Sequence, residues 1–200
     1  DRRRLEEIVE FARSKKLYLV SDEVYMDYSF TDFTSTIELG YENTIMLMSF
    51  SKSYGMTGYR IGYLVARREI IERAAKIQSL LMTCVPEFIQ MAAIEALKDS
   101  ETPKKYCEEM KKRIEMVCQR LDKVGTEYVK PSGGMYVFPR FKTMKDDSSE
   151  FALRLLEKYG VAVAPGSAFG DYPQFIRIST GTEISQIIEG VDRLIKAIED

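Results

Sequence analysis

The sequence predicts an α/β protein, and its apolar patterning supports that prediction. Three short runs, 17–20, 44–48 and 61–66, are apolar on both faces, which is typical of strands buried in a mostly parallel sheet. After them, apolar residues recur at helical spacing across 69–82 and 86–98. Strands and helices that share one stretch of chain in this way indicate layered α/β architecture.

The first helix is predicted at the start of the chain, where the apolar residues Leu5, Ile8 and Ala12 recur at helical spacing. A longer amphipathic helix is predicted over 103–124. We expect a domain boundary near residue 103, which could fall within that helix.

The second part, 103–200, is predicted to be a smaller α+β unit. Short strands are expected at 135–138, 161–164 and 175–178, with a helix between the first two. A strongly amphipathic pattern over 184–198 predicts a final helix. The first part, 1–102, is then the α/β layer.

The composition excludes several classes of function. The chain has 200 residues, and its 29 basic and 31 acidic residues give a net charge of −2, which provides no reason to expect binding to nucleic acid or an anionic membrane. No apolar run approaches the roughly 18 residues of a membrane span. There is no histidine, which excludes Ser-His-Asp and Cys-His catalysis and histidine metal sites.

The three cysteines point to a cytoplasmic protein. They are an odd number and form no CxxC pair, so we expect buried core thiols, with neither disulfides nor a metal site. Because there is no histidine, any chemistry must use Lys, Tyr, Asp, Glu, Arg, Ser or Cys side chains, or a cofactor.

Polar side chains follow the first two predicted strands. Asp22 and Tyr25 come after the first, and Ser49 and Lys52 come after the second, while Arg60 precedes the third. Because ligands bind beyond the carboxyl ends of the strands in open α/β sheets, we expect these side chains to share one edge. Each alone has an ordinary explanation, such as a surface charge or a helix cap, but the combination can form a catalytic site without histidine.

The spacing Ser49-x-Ser51-Lys52, with Arg60 eight residues after the lysine, resembles that of the class I/II aminotransferases. These are fold type I enzymes of the aspartate aminotransferase superfamily that depend on pyridoxal 5'-phosphate (PLP). Five further segments match in family order: 21–25, 56–63, 131–136, 163–170 and 175–179. The resemblance covers essentially the whole chain.

The resemblance implies a partial PLP-dependent transferase fold of type I. Residues 1–102 would be the C-terminal part of the large PLP-binding domain, and 103–200 the small C-terminal domain. Family members are much longer than 200 residues, and their Asn-Pro-x-Gly motif and the Gly-rich turn that cradles the phosphate are absent here. We therefore expect a C-terminal half that binds PLP weakly and turns over little or not at all by itself.

The resemblance also implies roles for individual residues. Lys52 would be catalytic, forming the Schiff base with PLP and moving a proton at the substrate α-carbon. Asp22 would pair with the pyridine nitrogen, and Tyr25 would donate a hydrogen bond to the ring oxygen. The phosphate would be bound by Ser49 and Arg60, with help from Ser51. Arg177 would hold the substrate carboxylate, because its planar guanidinium matches a planar acceptor.

The expected reaction moves an amino group from an α-amino acid to a 2-oxo acid, with 2-oxoglutarate as the acceptor and a homodimer as the full-length form. Aspartate, alanine, aromatic and branched-chain donors all remain open. Two alternatives are compatible with the same resemblance. The protein could be another PLP enzyme, such as a carbon–sulfur lyase, or a degenerate, non-catalytic regulatory module. The loop 165–170 could line the site entrance.

Overall fold

A computed structural model gives the architecture of the chain and describes residues 2–199. These residues divide into two compact units, which meet between Cys107 and Glu108. The division falls inside one long helix, α5 (Glu101–Lys123). That the units correspond to the large and small domains of the expected fold stays a prediction.

Unit 1 alternates helices with a small sheet. Its elements are α1 (Arg2–Ser14), β1 (Leu19–Asp22), β2 (Thr44–Ser49), α2 (Phe50–Ser53), β3 (Gly62–Val65), α3 (Arg68–Met82) and α4 (Glu87–Lys98). The first strand begins two residues later than predicted, so Asp22 is its last residue. The short helix α2 was not predicted, and it carries Lys52.

The sheet of unit 1 has the order β1-β2-β3, and its third strand corrects the sequence-based expectation. β1 and β2 are parallel as expected, but β3 runs antiparallel to β2. The reason lies in the connection, since a parallel crossover usually runs through a full helix. Residues 50–61 hold only α2 and a three-residue 3-10 helix, so the chain turns back on itself.

The outer strands are also less buried than predicted. Along β2, every second side chain is buried, whereas Val20 in β1 is 59% exposed and Tyr63 in β3 is 40% exposed. Among the described residues, β1 and β3 each have a neighbouring strand on one side only. The apolar runs therefore identified the strands correctly but overestimated the burial of two of them.

Unit 2 packs helices against a second three-stranded sheet. Its elements after α5 are β4 (Tyr136–Val137), α6 (Ser148–Tyr159), β5 (Ala164–Pro165), β6 (Ile176–Ser179) and α7 (Ile184–Glu199). The strand order is β4-β6-β5, with both pairs antiparallel. β6, the strand that carries Arg177, is therefore central.

The core of unit 2 follows the predicted apolar faces of α5 and α7, whereas on α6 the predicted face included Leu156, which is 50% exposed. Ile114, Val117 and Leu121 on α5 are almost fully buried, as are Phe151 on α6 and Leu194 on α7. Asp147 caps the start of helix α6, because its carboxylate accepts the backbone N–H of Ser149 at 2.9 Å. This is the capping bond that an acidic N-cap residue supplies.

The cysteine prediction is only partly correct. Cys118 is buried on the core face of α5, Cys107 is half-buried, and Cys84 is exposed between α3 and α4. Within residues 2–199, no helix combines the length and apolar character needed to cross a membrane.

Candidate active site

The carboxyl ends of β1 and β2 meet at one edge of the unit 1 sheet. Asp22 lies opposite Leu47, and the backbone N–H of Glu23 continues the ladder by donating to the Leu47 carbonyl at 2.9 Å. β2 ends two residues later at Ser49, and α2 begins at once. The sequence-based expectation that Asp22 and Ser49 share an edge agrees with this register.

The antiparallel direction of β3 brings Arg60 to the same edge. Gly62, the first residue of β3, lies opposite Ser49, the last residue of β2. In a parallel β3, Arg60 would precede the strand at the far edge of the sheet. The antiparallel direction of β3 therefore places Arg60 at the same edge as the other candidate residues.

Lys52 is positioned by the turn that joins β2 to α2. The hydroxyl of Ser49 caps α2 by accepting the backbone N–H of Ser51 at 3.1 Å. The Lys52 carbonyl accepts the phenol of Tyr28, which is buried, at 2.9 Å. These two hydrogen bonds fix the turn at both ends, and Ser51 contributes its backbone N–H to the first of them.

The Lys52 amine lies over the ring of Tyr25, with Nζ 5.8 Å from the ring centroid. No ion-pair or hydrogen-bond partner of this amine is present among residues 2–199. The structure therefore brings two of the predicted site residues together and leaves the amine available to a ligand.

Asp22 presents one carboxylate oxygen outward. Its Oδ1 accepts the backbone N–H of Val24 at 3.2 Å, and its side chain is exposed. This local bond, typical of aspartate in turns, fixes the carboxylate while leaving its second oxygen for a partner.

Glu23, the neighbour of Asp22, has a role that the sequence did not suggest. It is 4% exposed, and its Oε1 accepts three hydrogen bonds, from Ser21 Oγ at 3.0 Å and from Thr36 N and Oγ1 at 2.9 and 2.7 Å. Burial by itself would raise the pKa of Glu23, but the hydroxyl and N–H donors outweigh it and hold that pKa below its ordinary value. The buried carboxylate thus ties residues 21–23 to Thr36.

Arg60 adopts a left-handed backbone conformation, with φ 54° and ψ 45°. Such values are uncommon outside glycine and occur more often at functional positions. Its Nη1 donates to the Thr57 carbonyl at 3.1 Å, and its side chain is exposed. The guanidinium has no acidic partner within the described chain, so it can receive an anion.

Arg177 lies in unit 2, on the central strand β6, opposite Ala164 of β5. Its guanidinium carbon lies 4.4 Å from the ring centroid of Tyr136 and 4.7 Å from that of Phe169. Its Nε is buried and finds no hydrogen-bond partner within residues 2–199. Tyr136 and Phe169 were not predicted as individual site residues, although Phe169 lies in the loop 165–170 that was expected to line the site entrance.

The sequence and structure were compared with known proteins. The family Aminotransferase class I and II matches residues 1–194. An aspartate aminotransferase from Pyrococcus abyssi is 40% identical over 205 residues, covering 98% of this chain and 52% of that protein. Aromatic-amino-acid aminotransferase 2 from Thermococcus litoralis is 37% identical, with the same coverage. The chain spans about half the length of these curated relatives.

Solved structures agree with the sequence matches. An aromatic aminotransferase from Pyrococcus horikoshii superposes with a TM-score of 0.90 at 37% identity, covering 98% of this chain and 54% of that one. The aspartate aminotransferase of Thermotoga maritima gives the same TM-score at 35% identity, with 52% of its chain covered. The expected fold is thereby confirmed as a partial fold type I transferase, and the chain belongs to the class I and II aminotransferase family.

Proposed function

We propose that the protein carrying this sequence is a PLP-dependent aminotransferase, which moves an amino group between an α-amino acid and a 2-oxo acid. The observation that carries the proposal is the Lys52 amine, which lies against Tyr25 at the edge where β1 and β2 end and has no ion-pair partner among residues 2–199. The family match and the printed activities of the relatives support it. Because the chain spans about half of those relatives, the proposal concerns the whole protein.

The residues at this edge fit the cofactor. Lys52 would bind the PLP aldehyde carbon, the second oxygen of Asp22 would hold the proton on the pyridine nitrogen, and Tyr25 would donate to the ring oxygen. Ser49, Ser51 and Arg60 would bind the phosphate, for which the guanidinium has no competing acidic partner in residues 2–199. When bound, PLP supplies an electron-withdrawing ring that stabilises negative charge at the substrate α-carbon.

The protein's own part in the reaction is to move one proton. The free lysine amine would take the proton from the substrate α-carbon and deliver it to the C4′ carbon of the cofactor. Lys52 suits this role because its backbone is fixed by Tyr28 and Ser49 while its amine has no ion-pair partner in the described chain.

Arg177 would bind the α-carboxylate of the substrate. Its guanidinium offers a planar fork of donors, and residues 2–199 provide it with no acidic partner. The proposal further includes 2-oxoglutarate as acceptor, a homodimer, and a place in cytoplasmic amino-acid metabolism. The resemblance supports these features, and the relatives' names favour aspartate or aromatic donors.

Borohydride trapping tests the proposal directly. The protein encoded by the longest reading frame that contains this sequence is incubated with PLP, reduced, digested and mapped. We expect a pyridoxyl group on Lys52, and its loss in Lys52→Ala. Lys98→Ala is the matched control, because Lys98 is an exposed lysine paired with Glu95. Labelling at another lysine would overturn the assignment.

Steady-state kinetics distinguish an aminotransferase from an elimination enzyme. An aminotransferase gives parallel double-reciprocal lines when two substrates are varied, since the first substrate leaves as a 2-oxo acid, with its amino group kept on the enzyme, before the second substrate binds. Release of ammonia and a 2-oxo acid without an acceptor would instead show an elimination enzyme and contradict the proposed function.

A further inference from the structure

Arg177 differs from every other arginine of unit 2. The other five each form an ion pair with an acidic side chain: Arg113 with Glu109, Arg120 with Asp192, Arg140 with Glu127, Arg154 with Asp146 and Arg193 with Glu189. Arg177 has no such partner among the residues described, and only aromatic rings approach its charge.

Two rings from different elements approach the Arg177 guanidinium. Tyr136 reaches it from β4 and Phe169 from the loop after β5, with centroid distances of 4.4 and 4.7 Å. At these distances, the electron-rich ring faces attract a cation. The buried Nε without an acceptor shows that this contact also removes part of the guanidinium from solvent.

Phe169 is itself held in place by its loop. Its ring packs edge-on against Phe138, with centroids 5.7 Å apart. The loop is anchored at Ser167, whose backbone N–H donates to the buried Ser148 hydroxyl at 3.0 Å. Gly166 packs closely against the backbone of Tyr172, because a Cβ atom added to Gly166 would lie 2.3 Å from the Tyr172 carbonyl oxygen.

We infer that Tyr136 and Phe169 are positioning residues, an aromatic clamp that holds the Arg177 guanidinium ready for the substrate carboxylate. This inference rests on the proposed function. Rings suit the task because they orient the cation without neutralising it. An aspartate or glutamate in their place would compete with the substrate for the same donors.

The chain offers a matched control for Phe169. Tyr172 is 43% exposed and Phe169 is 45% exposed, and both pack edge-on against Phe138 at 5.7 Å. Only Phe169 lies against Arg177. Phe169→Leu and Tyr172→Leu therefore each remove a ring of similar exposure that packs against Phe138. Of the two, Phe169→Leu alone removes a ring that contacts the Arg177 guanidinium.

The first measurement follows the clamp itself in the 200-residue chain labelled with nitrogen-15 in arginine. The Nε–H resonance of Arg177 is identified by its loss in Arg177→Lys. In Phe169→Leu and Tyr136→Leu we expect it to move downfield, because the rings no longer shield the proton. Phe169→Trp and Tyr172→Leu should leave it near the wild-type position.

The second measurement follows carboxylate affinity in the protein encoded by the longest reading frame, with glutarate as an unreactive probe. We expect Phe169→Leu to weaken binding about 3- to 10-fold, the range for one cation–π contact at a partly exposed site. Phe169→Trp should restore the affinity, and Tyr172→Leu should not change it.

The outcomes distinguish the two proposals. If Phe169→Leu and Tyr136→Leu leave the resonance and the affinity unchanged while Arg177→Lys abolishes binding, the clamp is wrong and the carboxylate role stands. The clamp is equally wrong if Tyr172→Leu has the same effects as Phe169→Leu. If Arg177→Lys leaves glutarate affinity unchanged, the carboxylate role fails, and with it the positioning function of the rings.

Discussion

Ser49 lies directly opposite Gly62 in the antiparallel pairing of β2 with β3. One of these residues caps the helix that carries Lys52, and the other starts the strand that follows Arg60. This single pair therefore joins the two basic residues expected to bind different ends of the cofactor.

The close approach at Gly62 leads to the first prediction. A Cβ there would lie 2.5 Å from the Met48 carbonyl oxygen, so Gly62→Ala must push the strands apart. We expect a loss of about 1–3 kcal/mol in the free energy of unfolding, the usual cost of overpacking. Urea unfolding followed by circular dichroism measures it.

Gly58→Ala is the control, because a Cβ at Gly58 meets no atom within 4 Å. Its stability should stay near that of the wild type. Equal losses in both variants would show that the Ser49–Gly62 contact is not the cause.

Glu23 gives a prediction about pH. Its folded-state pKa is held below the ordinary value of 4.5, so its contribution to stability is complete above that pH and declines as the pH falls through the lower, folded-state pKa. Glu23→Gln should destabilise the protein by about 1–3 kcal/mol at neutral pH, because it loses a charged acceptor within a buried network. The difference between the two proteins should shrink in acid.

Chemical unfolding at several pH values, from neutral to acid, tests this. Glu7→Gln serves as the control, since Glu7 is exposed on α1 and pairs with Arg3 at the surface. A Glu23→Gln effect that grows as the pH falls would contradict the sign of the predicted dependence.

Asp22→Asn tests the expected role of Asp22 in the reaction while keeping its local hydrogen bond to Val24. Asparagine keeps an oxygen for the Val24 N–H but removes the charge expected to hold the pyridine proton. We expect borohydride labelling of Lys52 to persist while kcat falls by about 100-fold or more, the scale of losing one electrostatic contact to developing charge.

Asp32→Ala should leave kcat unchanged, because Asp32 is exposed outside the sheet edge. If Asp22→Asn retains full activity, the pairing of Asp22 with the cofactor is wrong.

Leu121 tests the core of unit 2. This side chain is fully buried on α5, and Leu121→Ala should cost about 2–5 kcal/mol through lost burial and the remaining cavity. Leu153→Ala on α6 is the control, because Leu153 is 57% exposed and should change stability by less than about 0.5 kcal/mol. Thermal unfolding of both variants checks the contrast.

The sequence predicted the elements better than it predicted their pairing. Apolar periodicity located the long helices and most of the strands because burial imposes that pattern on each segment by itself. The strand predicted over 161–164 is observed only at Ala164–Pro165. The direction of β3 was missed, since it depends on how residues 50–61 turn, and no periodicity records that. Burial of β1 and β3 was overestimated because the same apolar run fits a central or an edge strand.

The candidate site shows the same limit. Asp22, Tyr25 and Lys52 could be found from spacing, because strand ends bring together residues that follow each strand. Glu23 and the rings around Arg177 could not be found from spacing. Only the fold shows their contacts, such as those between Glu23 and Thr36 and between Arg177 and Phe169.

The lack of an acidic partner for Arg177 within residues 2–199 has a consequence for assays of the proposed activity. A guanidinium that is flanked by rings, with no counterion in the described chain, is expected to attract small anions from the buffer. Chloride, sulfate and phosphate should then act as competitive inhibitors against the amino acid, and the apparent KM should rise with salt while kcat stays constant. Substrate preferences measured in different buffers are comparable only at matched anion concentration.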